Sequence, residues 1–140
     1  IGLGLATAIG SGLAMPGRTV VAGIGDGGFM MSIADFETAV RLKLSLFILV
    51  YDDMSYLAEV HRYKPMGYDT SIVEFPDFDF AAMARGFGAQ GTVVRSLDDL
   101  KPVKDWVRGG AKGVFVADAK ITAELFADWI SSMLARGGKH

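Results

Sequence analysis

The chain has 140 residues, 51% of them hydrophobic, and a formal net charge of −2. Its length fits one domain, residues 1–140, with a sizeable core, and its charge gives no basic surface of the kind that binds nucleic acid. The absence of cysteine excludes disulfides and thiolate metal ligands, and without an apolar run of roughly 18 residues or a charged-then-apolar leader we expect a cytoplasmic protein with no membrane span.

Segments typical of helices and of strands alternate along the chain. Continuous apolar runs predict strands, and apolar residues at intervals of three or four, with capping and stop signals, predict helices. In chain order we predict a helix at 6–13, a strand at 19–24, a helix at 33–41, a strand at 46–51, helices at 56–63 and 77–87, a strand at 92–95, a helix at 96–107, a strand at 114–117 and a helix from Thr122. This order favours a doubly wound α/β fold, a parallel sheet with helices on both faces.

Polar residues are predicted to begin three of the helices. Ser32 and Asp35 form a capping-box pattern, and Ser96 and Asp99 form a second one. Asp77 is the predicted cap of the helix at 77–87.

Each of the first two predicted strands is followed directly by an acidic loop. The loops are Gly25-Asp26-Gly27-Gly28 and Asp52-Asp53. Glycine lets backbone N–H groups approach a phosphate closely, but a carboxylate beside a diphosphate is repelled unless a divalent cation lies between them. Ligands bind beyond the carboxyl ends of parallel strands, and oxygen ligands from Asp26 and Asp53 suit magnesium or calcium. The sequence therefore predicts a metal-diphosphate site.

This pattern resembles the thiamine-diphosphate motif of enzymes such as acetolactate synthase and benzoylformate decarboxylase. In that family the Gly-Asp-Gly turn is followed by an Asn-Asn pair, where this chain has Asp52-Asp53. Residues 2–10, 16–21 and 77–89 resemble segments that stand around this motif in the same enzymes. The resemblance implies the thiamine-diphosphate-binding fold for nearly the whole chain.

The resemblance also assigns site residues. It implies metal ligation by the side chains of Asp26 and Asp53 and by the backbone carbonyl of Ser55, with Mg²⁺ as the expected ion and Ca²⁺ as the alternative. Ile1 falls on the bulky apolar residue that holds the cofactor bent. The implied contacts to thiamine diphosphate come from Ile1, Gly25, Asp26, Gly27, Gly28, Phe29, Asp53 and Ser55.

The resemblance also implies that three residues beyond the metal loop line the pocket that faces the thiazolium and the substrate. They are Tyr56, Leu57 and His61. Histidine is suited to proton transfer near neutral pH, although a lone histidine on a helix is more often a solvent-facing or packing residue. Asp52, in contrast, is expected to fix the loop by hydrogen bonds instead of binding the metal directly.

The resemblance implies a domain that acts in the decarboxylation or carboligation of 2-oxo acids. In these enzymes the ylide-forming glutamate belongs to a separate pyrimidine-binding domain, so we expect such a partner, as a further domain or subunit, and a homodimer or homotetramer. The chain is then an excised portion of a longer enzyme or one subunit of a split one, and by itself it is expected to have no decarboxylase activity.

Two alternatives stay open at this point. The chain could belong to a non-catalytic homologue that retains only cofactor binding or assembly. Gly23, Gly25 and Gly28 also satisfy the spacing of a dinucleotide-binding fingerprint, with Asp52 about where a ribose-binding acid is expected. Asp26 weakens the dinucleotide interpretation, because nicotinamide-binding folds hold the pyrophosphate without a metal.

Overall fold

The computed structural model describes residues 1–125 and 132. The helices and strands follow in chain order as α1 (Gly4–Ala14), β1 (Val20–Gly25), α2 (Asp26–Met31), α3 (Ile33–Arg41), β2 (Leu46–Asp52), α4 (Leu57–Tyr63), α5 (Phe80–Gly86), β3 (Gln90–Val94), α6 (Lys101–Arg108) and β4 (Val114–Lys120). Short 3₁₀ turns lie at Lys64–Met66, Ser71–Val73 and Leu97–Leu100. None of the helices in this described part is long and apolar enough to cross a membrane.

The four strands form one parallel sheet in the order β1-β2-β4-β3. This confirms the predicted α/β fold and all four predicted strands. The register sets Gly25 at the end of β1 beside Tyr51, and Asp52 at the end of β2 beside Lys120. The carboxyl ends of β1 and β2 therefore meet at one edge of the sheet, as the position of the two acidic loops requires.

Helices cover both faces of the sheet. On one face Ile48 and Val116 are fully buried in a core shared with α1, α2, α3 and α5. On the other face Phe115 packs with Trp106 of α6, at a ring separation of 5.7 Å. Successive side chains of a strand point to opposite faces of the sheet, and helices cover both faces. The strands are therefore continuous apolar runs in the sequence.

Helix α2 was not predicted from the sequence. Its first three residues include Gly27 and Gly28, which have poor helix propensity, so the segment reads as a loop. Phe29 overrides that preference: its side chain is fully buried, with edge-to-face contacts to Phe36 at 5.7 Å and Phe80 at 5.6 Å. Tertiary burial of one ring therefore stabilises a helical turn that propensity disfavours.

Two of the three predicted caps lack the predicted side-chain bonds, although Ser32 does stand at the N-cap position of α3. The Oγ of Ser32 donates to the carbonyl of Gly28 at 3.1 Å, because α2 ends immediately before this residue and offers an acceptor there. Helix α5 is capped by Asp79, which accepts from the N–H of Ala82 at 2.6 Å, and Asp77 is engaged elsewhere. The capping box of Ser96 and Asp99 is confirmed, although it begins the 3₁₀ turn that precedes α6.

The last predicted helix does not begin at Thr122. Residues 121–125 form no helix, and the hydroxyl of Thr122 accepts from the N–H of Glu124 at 3.2 Å. Apart from residue 132, the rest of the predicted helix lies outside the described residues.

Candidate cofactor and metal site

Strand β1 passes directly into helix α2 at the Gly-Asp-Gly turn. Asp26 is the first residue of α2 and is only 4% exposed. Its Oδ1 accepts from the N–H of Gly27 at 2.7 Å. The carboxylate is therefore held at the carboxyl end of β1, where ligands of parallel sheets bind.

The second acidic loop reaches Asp26 through Ser55. The N–H of Ser55 donates to Oδ2 of Asp26 at 3.2 Å, and its Oγ donates to Oδ1 of Asp53 at 2.8 Å. Between them Met54 has a φ of 62°, in the left-handed region, and its N–H donates to Oδ1 of Asp52 at 3.1 Å. This last bond confirms that Asp52 fixes the loop by hydrogen bonding.

The electrostatics of the two carboxylates favour a cation. Burial, helped by repulsion from Asp53 and Asp52, raises the pKa of Asp26 to about 6, against the opposing effect of the Gly27 N–H. Burial likewise raises the pKa of Asp53, while hydrogen bonds from Ser55 lower it. A divalent ion between Asp26 and Asp53 would offset both the burial and the repulsion. The residues present thus fit a hard metal ion.

Protein side chains alone do not complete a metal site here. In residues 1–125 and 132, no three His, Cys, Asp or Glu side chains converge as a group that could hold a metal. Asp26 and Asp53 would therefore need further oxygen ligands. Mg²⁺ is commonly bound by one or two carboxylates together with phosphate oxygens, so a diphosphate and the carbonyl of Ser55 suit the remaining positions.

An open cleft brings most of the predicted site residues together. It has a volume of about 490 Å³ and lies beside the ends of β1 and β2. A volume of this order is enough for a cofactor. The predicted residues that line it are Ile1, Gly25, Asp26, Gly27, Gly28, Asp53, Ser55, Tyr56 and Leu57.

Tyr56 packs against the Gly-Asp-Gly turn. A Cβ atom on Gly27 would lie 2.3 Å from Cε1 of the Tyr56 ring, which no real contact tolerates. That ring meets Phe75 edge-to-face at 4.9 Å, which limits its room to move aside. Glycine is thus required at position 27 by packing, whereas a Cβ on Gly28 meets only ordinary contacts.

Two predicted site residues lie outside this cleft. The side chain of Phe29 faces the core, so only its backbone is left for the predicted approach to the diphosphate. His61 lines an adjoining depression together with Asp53 and Leu57, and its Nε2 lies 2.7 Å from the carbonyl oxygen of Ala123. A catalytic role for His61 stays a prediction.

A buried lysine beside the metal loop was missed. The Nζ of Lys120 contacts the carboxylate of Asp52, lies 2.7 Å from Oδ1 of Asp77 and lies 3.2 Å from Oδ2 of Asp118. Burial lowers the pKa of Lys120, but hydrogen bonds to these carboxylates raise it, and the net direction is upward. The one signal in the sequence was the Asp-x-Lys pattern of Asp118 and Lys120 at the end of a buried strand. Which other side chains surround Lys120 depends on the order of the strands in the sheet, which the pattern does not show.

The dinucleotide interpretation does not suit this geometry. Gly23 lies under the ring of Tyr51, where a Cβ atom would be 3.0 Å from Cε2. Asp52, the candidate ribose ligand, is 1% exposed and bonded to Lys120. A ribose hydroxyl therefore has no open carboxylate to bind at this position.

Comparison with known proteins identifies the family of this chain. The profile of the family described as thiamine pyrophosphate enzyme, C-terminal TPP binding domain, matches residues 1–119. The acetolactate synthase of Bacillus subtilis (strain 168) is 37% identical over 123 residues, which cover 86% of this chain and 21% of that protein. The catabolic acetolactate synthase of Raoultella terrigena is 39% identical over 106 residues, 73% of this chain and 18% of that protein.

The fold is shared with a solved enzyme as well. The thiamine diphosphate-dependent 4-hydroxybenzoylformate decarboxylase of Rhodococcus jostii RHA1 superposes with a TM-score of 0.74 at 26% identity, over 87% of this chain and 23% of that chain. The chain thus spans about a fifth of the length of the curated relatives it matches. From the profile match over residues 1–119, the chain belongs to the family of C-terminal thiamine pyrophosphate-binding domains of thiamine pyrophosphate enzymes.

Proposed function

We propose that this chain is the thiamine-diphosphate- and Mg²⁺-binding domain of a 2-oxo acid decarboxylase or carboligase similar to acetolactate synthase. The observation that carries the proposal is the pair of hydrogen bonds from Ser55, which hold the carboxylates of Asp26 and Asp53 side by side at the ends of β1 and β2. The names of the relatives, two acetolactate synthases and a 4-hydroxybenzoylformate decarboxylase, support a 2-oxo acid as substrate.

The residues of this chain have separate tasks in the proposal. Asp26 and Asp53 hold the metal, and the backbone of Gly27 and Gly28 borders the space for the diphosphate. Tyr56 keeps the turn in place by packing on Gly27. When bound, thiamine diphosphate supplies the electron sink for the electrons left when a 2-oxo acid loses carbon dioxide.

A second protein surface belongs to the proposal. Leu3, which lines the cleft, is 74% exposed, and Met31, which lies beside Gly2, is 57% exposed. Apolar side chains beside an open cleft favour contact with another protein surface. We propose that a pyrimidine-binding domain or subunit covers this edge and that the enzyme is a homo-oligomer.

The experiment uses the complete protein that contains this chain. The protein is freed of metal and cofactor with a chelator, and carbon dioxide release from pyruvate and from benzoylformate is measured with thiamine diphosphate, with and without Mg²⁺. We expect release from at least one 2-oxo acid only when both cofactor and metal are present. A protein that binds the cofactor tightly but turns over neither these nor other 2-oxo acids would instead be a non-catalytic homologue.

A further inference from the structure

Lys120, at the end of β4, lies behind the proposed metal loop and takes no part in the cleft itself. Its side chain is 8% exposed and that of Asp52, which it contacts, is 2% exposed. We propose that Lys120 is a positioning residue, which holds Asp52 in the place from which Asp52 shapes the loop that carries Asp53 and Ser55. The inference rests on the proposed function of that loop.

The two oxygens of Asp52 have different partners. Oδ1 accepts from the N–H of Met54, in the left-handed turn that directs Asp53 and Ser55 towards Asp26. Oδ2 is bonded to Nζ of Lys120. A buried carboxylate that loses its counter-charge is strongly destabilised, so Asp52 could not keep this place without the lysine.

Lys120 also contacts the segment that leads into α5. Its Nζ donates to the carbonyl of Phe78 at 2.5 Å and to Oδ1 of Asp77 at 2.7 Å. Phe78 in turn lines an apolar space of about 140 Å³ that also borders Asp26 and Tyr56. One ammonium group thereby connects the metal loop with the apolar side of the Gly-Asp-Gly turn.

The other two carboxylates that contact Lys120 have further hydrogen-bond or ion-pair partners. Asp118, fully buried, receives the N–H of Phe80 at 3.1 Å as well as Lys120 at 3.2 Å. Asp77 is shared with Arg95 at 3.2 Å. Two cations thus face three carboxylates, and of the three only Asp52 belongs to the metal loop. The effect of Lys120 on Asp52 should therefore be distinguishable from its effects on Asp77 and Asp118.

The test measures the Mg²⁺ concentration that half-saturates thiamine diphosphate binding, by calorimetry on the complete protein. The variants are Lys120→Met, Asp52→Asn and the double variant, and the matched control is Lys104→Met at an exposed lysine of α6. Asparagine keeps the Oδ1 acceptor for Met54 without a charge to neutralise. Resistance to urea is recorded for each sample as a separate measure of stability.

We expect Lys120→Met to raise the half-saturating Mg²⁺ concentration at least tenfold and Lys104→Met to leave it unchanged. In the Asp52→Asn background, Lys120→Met should change the half-saturating Mg²⁺ concentration less than threefold, because the carboxylate that needs the lysine is gone. A lysine with a merely structural role would alter the urea midpoint in both backgrounds and leave the metal requirement of the folded protein unchanged.

The inference is overturned if Lys120→Met raises the half-saturating Mg²⁺ concentration less than threefold. It is also overturned if Lys120→Met raises that concentration as much in the Asp52→Asn background as in the unmodified protein. Should Lys120→Met not fold, recovery of a folded, Mg²⁺-dependent double variant supports the inference, and failure of that variant overturns it. If the unmodified protein binds no cofactor with Mg²⁺, the proposed function itself has failed, which is a different outcome.

Discussion

The backbone N–H of Ser55 donates to Oδ2 of Asp26 at 3.2 Å and so joins two loops that the whole of α3 and β2 separates in the chain. The hydroxyl of the same serine holds Asp53 at 2.8 Å. Both carboxylates are therefore placed before any ion arrives, and metal binding has little loop ordering to overcome.

The two central glycines of the turn should respond differently to alanine. Gly27→Ala should displace the Tyr56 ring and lower both stability and cofactor affinity, because its Cβ would lie 2.3 Å from that ring. Gly28→Ala fits the protein, with its nearest side-chain contact 3.6 Å away at Ile24, so it should spare stability and weaken only cofactor binding. Thermal unfolding and calorimetry on both variants check this. Unchanged affinity in Gly28→Ala would mean that no ligand approaches this residue.

The effect of changing Asp53 should be graded. Asp53→Asn keeps an oxygen ligand and an acceptor for the Ser55 hydroxyl, so it should largely retain Mg²⁺-dependent binding of thiamine diphosphate. Asp53→Ala removes both and should lose binding by at least tenfold. Titration of each variant with cofactor at fixed Mg²⁺ measures the difference, and an equal loss in the two would argue against Asp53 as a metal ligand.

Asp118 should make the metal-free protein less stable as the pH rises from about 4 to 6. Burial raises the pKa of Asp118 to about 6, although Lys120 opposes the shift. The folded state then binds more protons than the unfolded state in this window, so the free energy of unfolding falls with rising pH. Asp118→Asn should remove up to about one proton from that dependence. Urea unfolding at several pH values tests this, and identical slopes in the two proteins would refute it.

Phe29 should matter for stability and not for cofactor contact. Phe29→Leu should reduce the free energy of unfolding by about 1–3 kcal/mol, because the ring is fully buried between Phe36 and Phe80. Phe87→Leu, at a ring that is 41% exposed, is the control and should cost less. The affinity of the folded protein for thiamine diphosphate should stay within about twofold in both. A selective loss of affinity in Phe29→Leu would place its side chain near the ligand.

The strands and most helices could be predicted because their signals are local. The apolar run of β2 and the spacing of Ile33 and Phe36 each arise within a few residues. Helix α2 could not be predicted, since the burial of Phe29 against distant Phe80 decides it.

The same distinction applies to the site. Asp26 and Asp53 each stand two residues after the end of a predicted strand, so their convergence followed once the sheet was taken as parallel. The choice of Asp79 over Asp77 as cap did not follow, because Lys120 engages Asp77 from 43 residues along the chain. Such a contact depends on β4 lying beside β2, which no local pattern shows.

We propose that Asp26 binds the diphosphate of the cofactor only through a divalent cation. The most direct test is calorimetry, in which the complete, metal-free protein is titrated with thiamine diphosphate in Mg²⁺ and in excess chelator. The samples are the unmodified protein, Asp26→Ala and a control at an exposed site, Asp35→Ala. We predict binding only with Mg²⁺, its loss in Asp26→Ala and its retention in Asp35→Ala. Equal affinity of the unmodified protein in chelator and in Mg²⁺ would contradict the account.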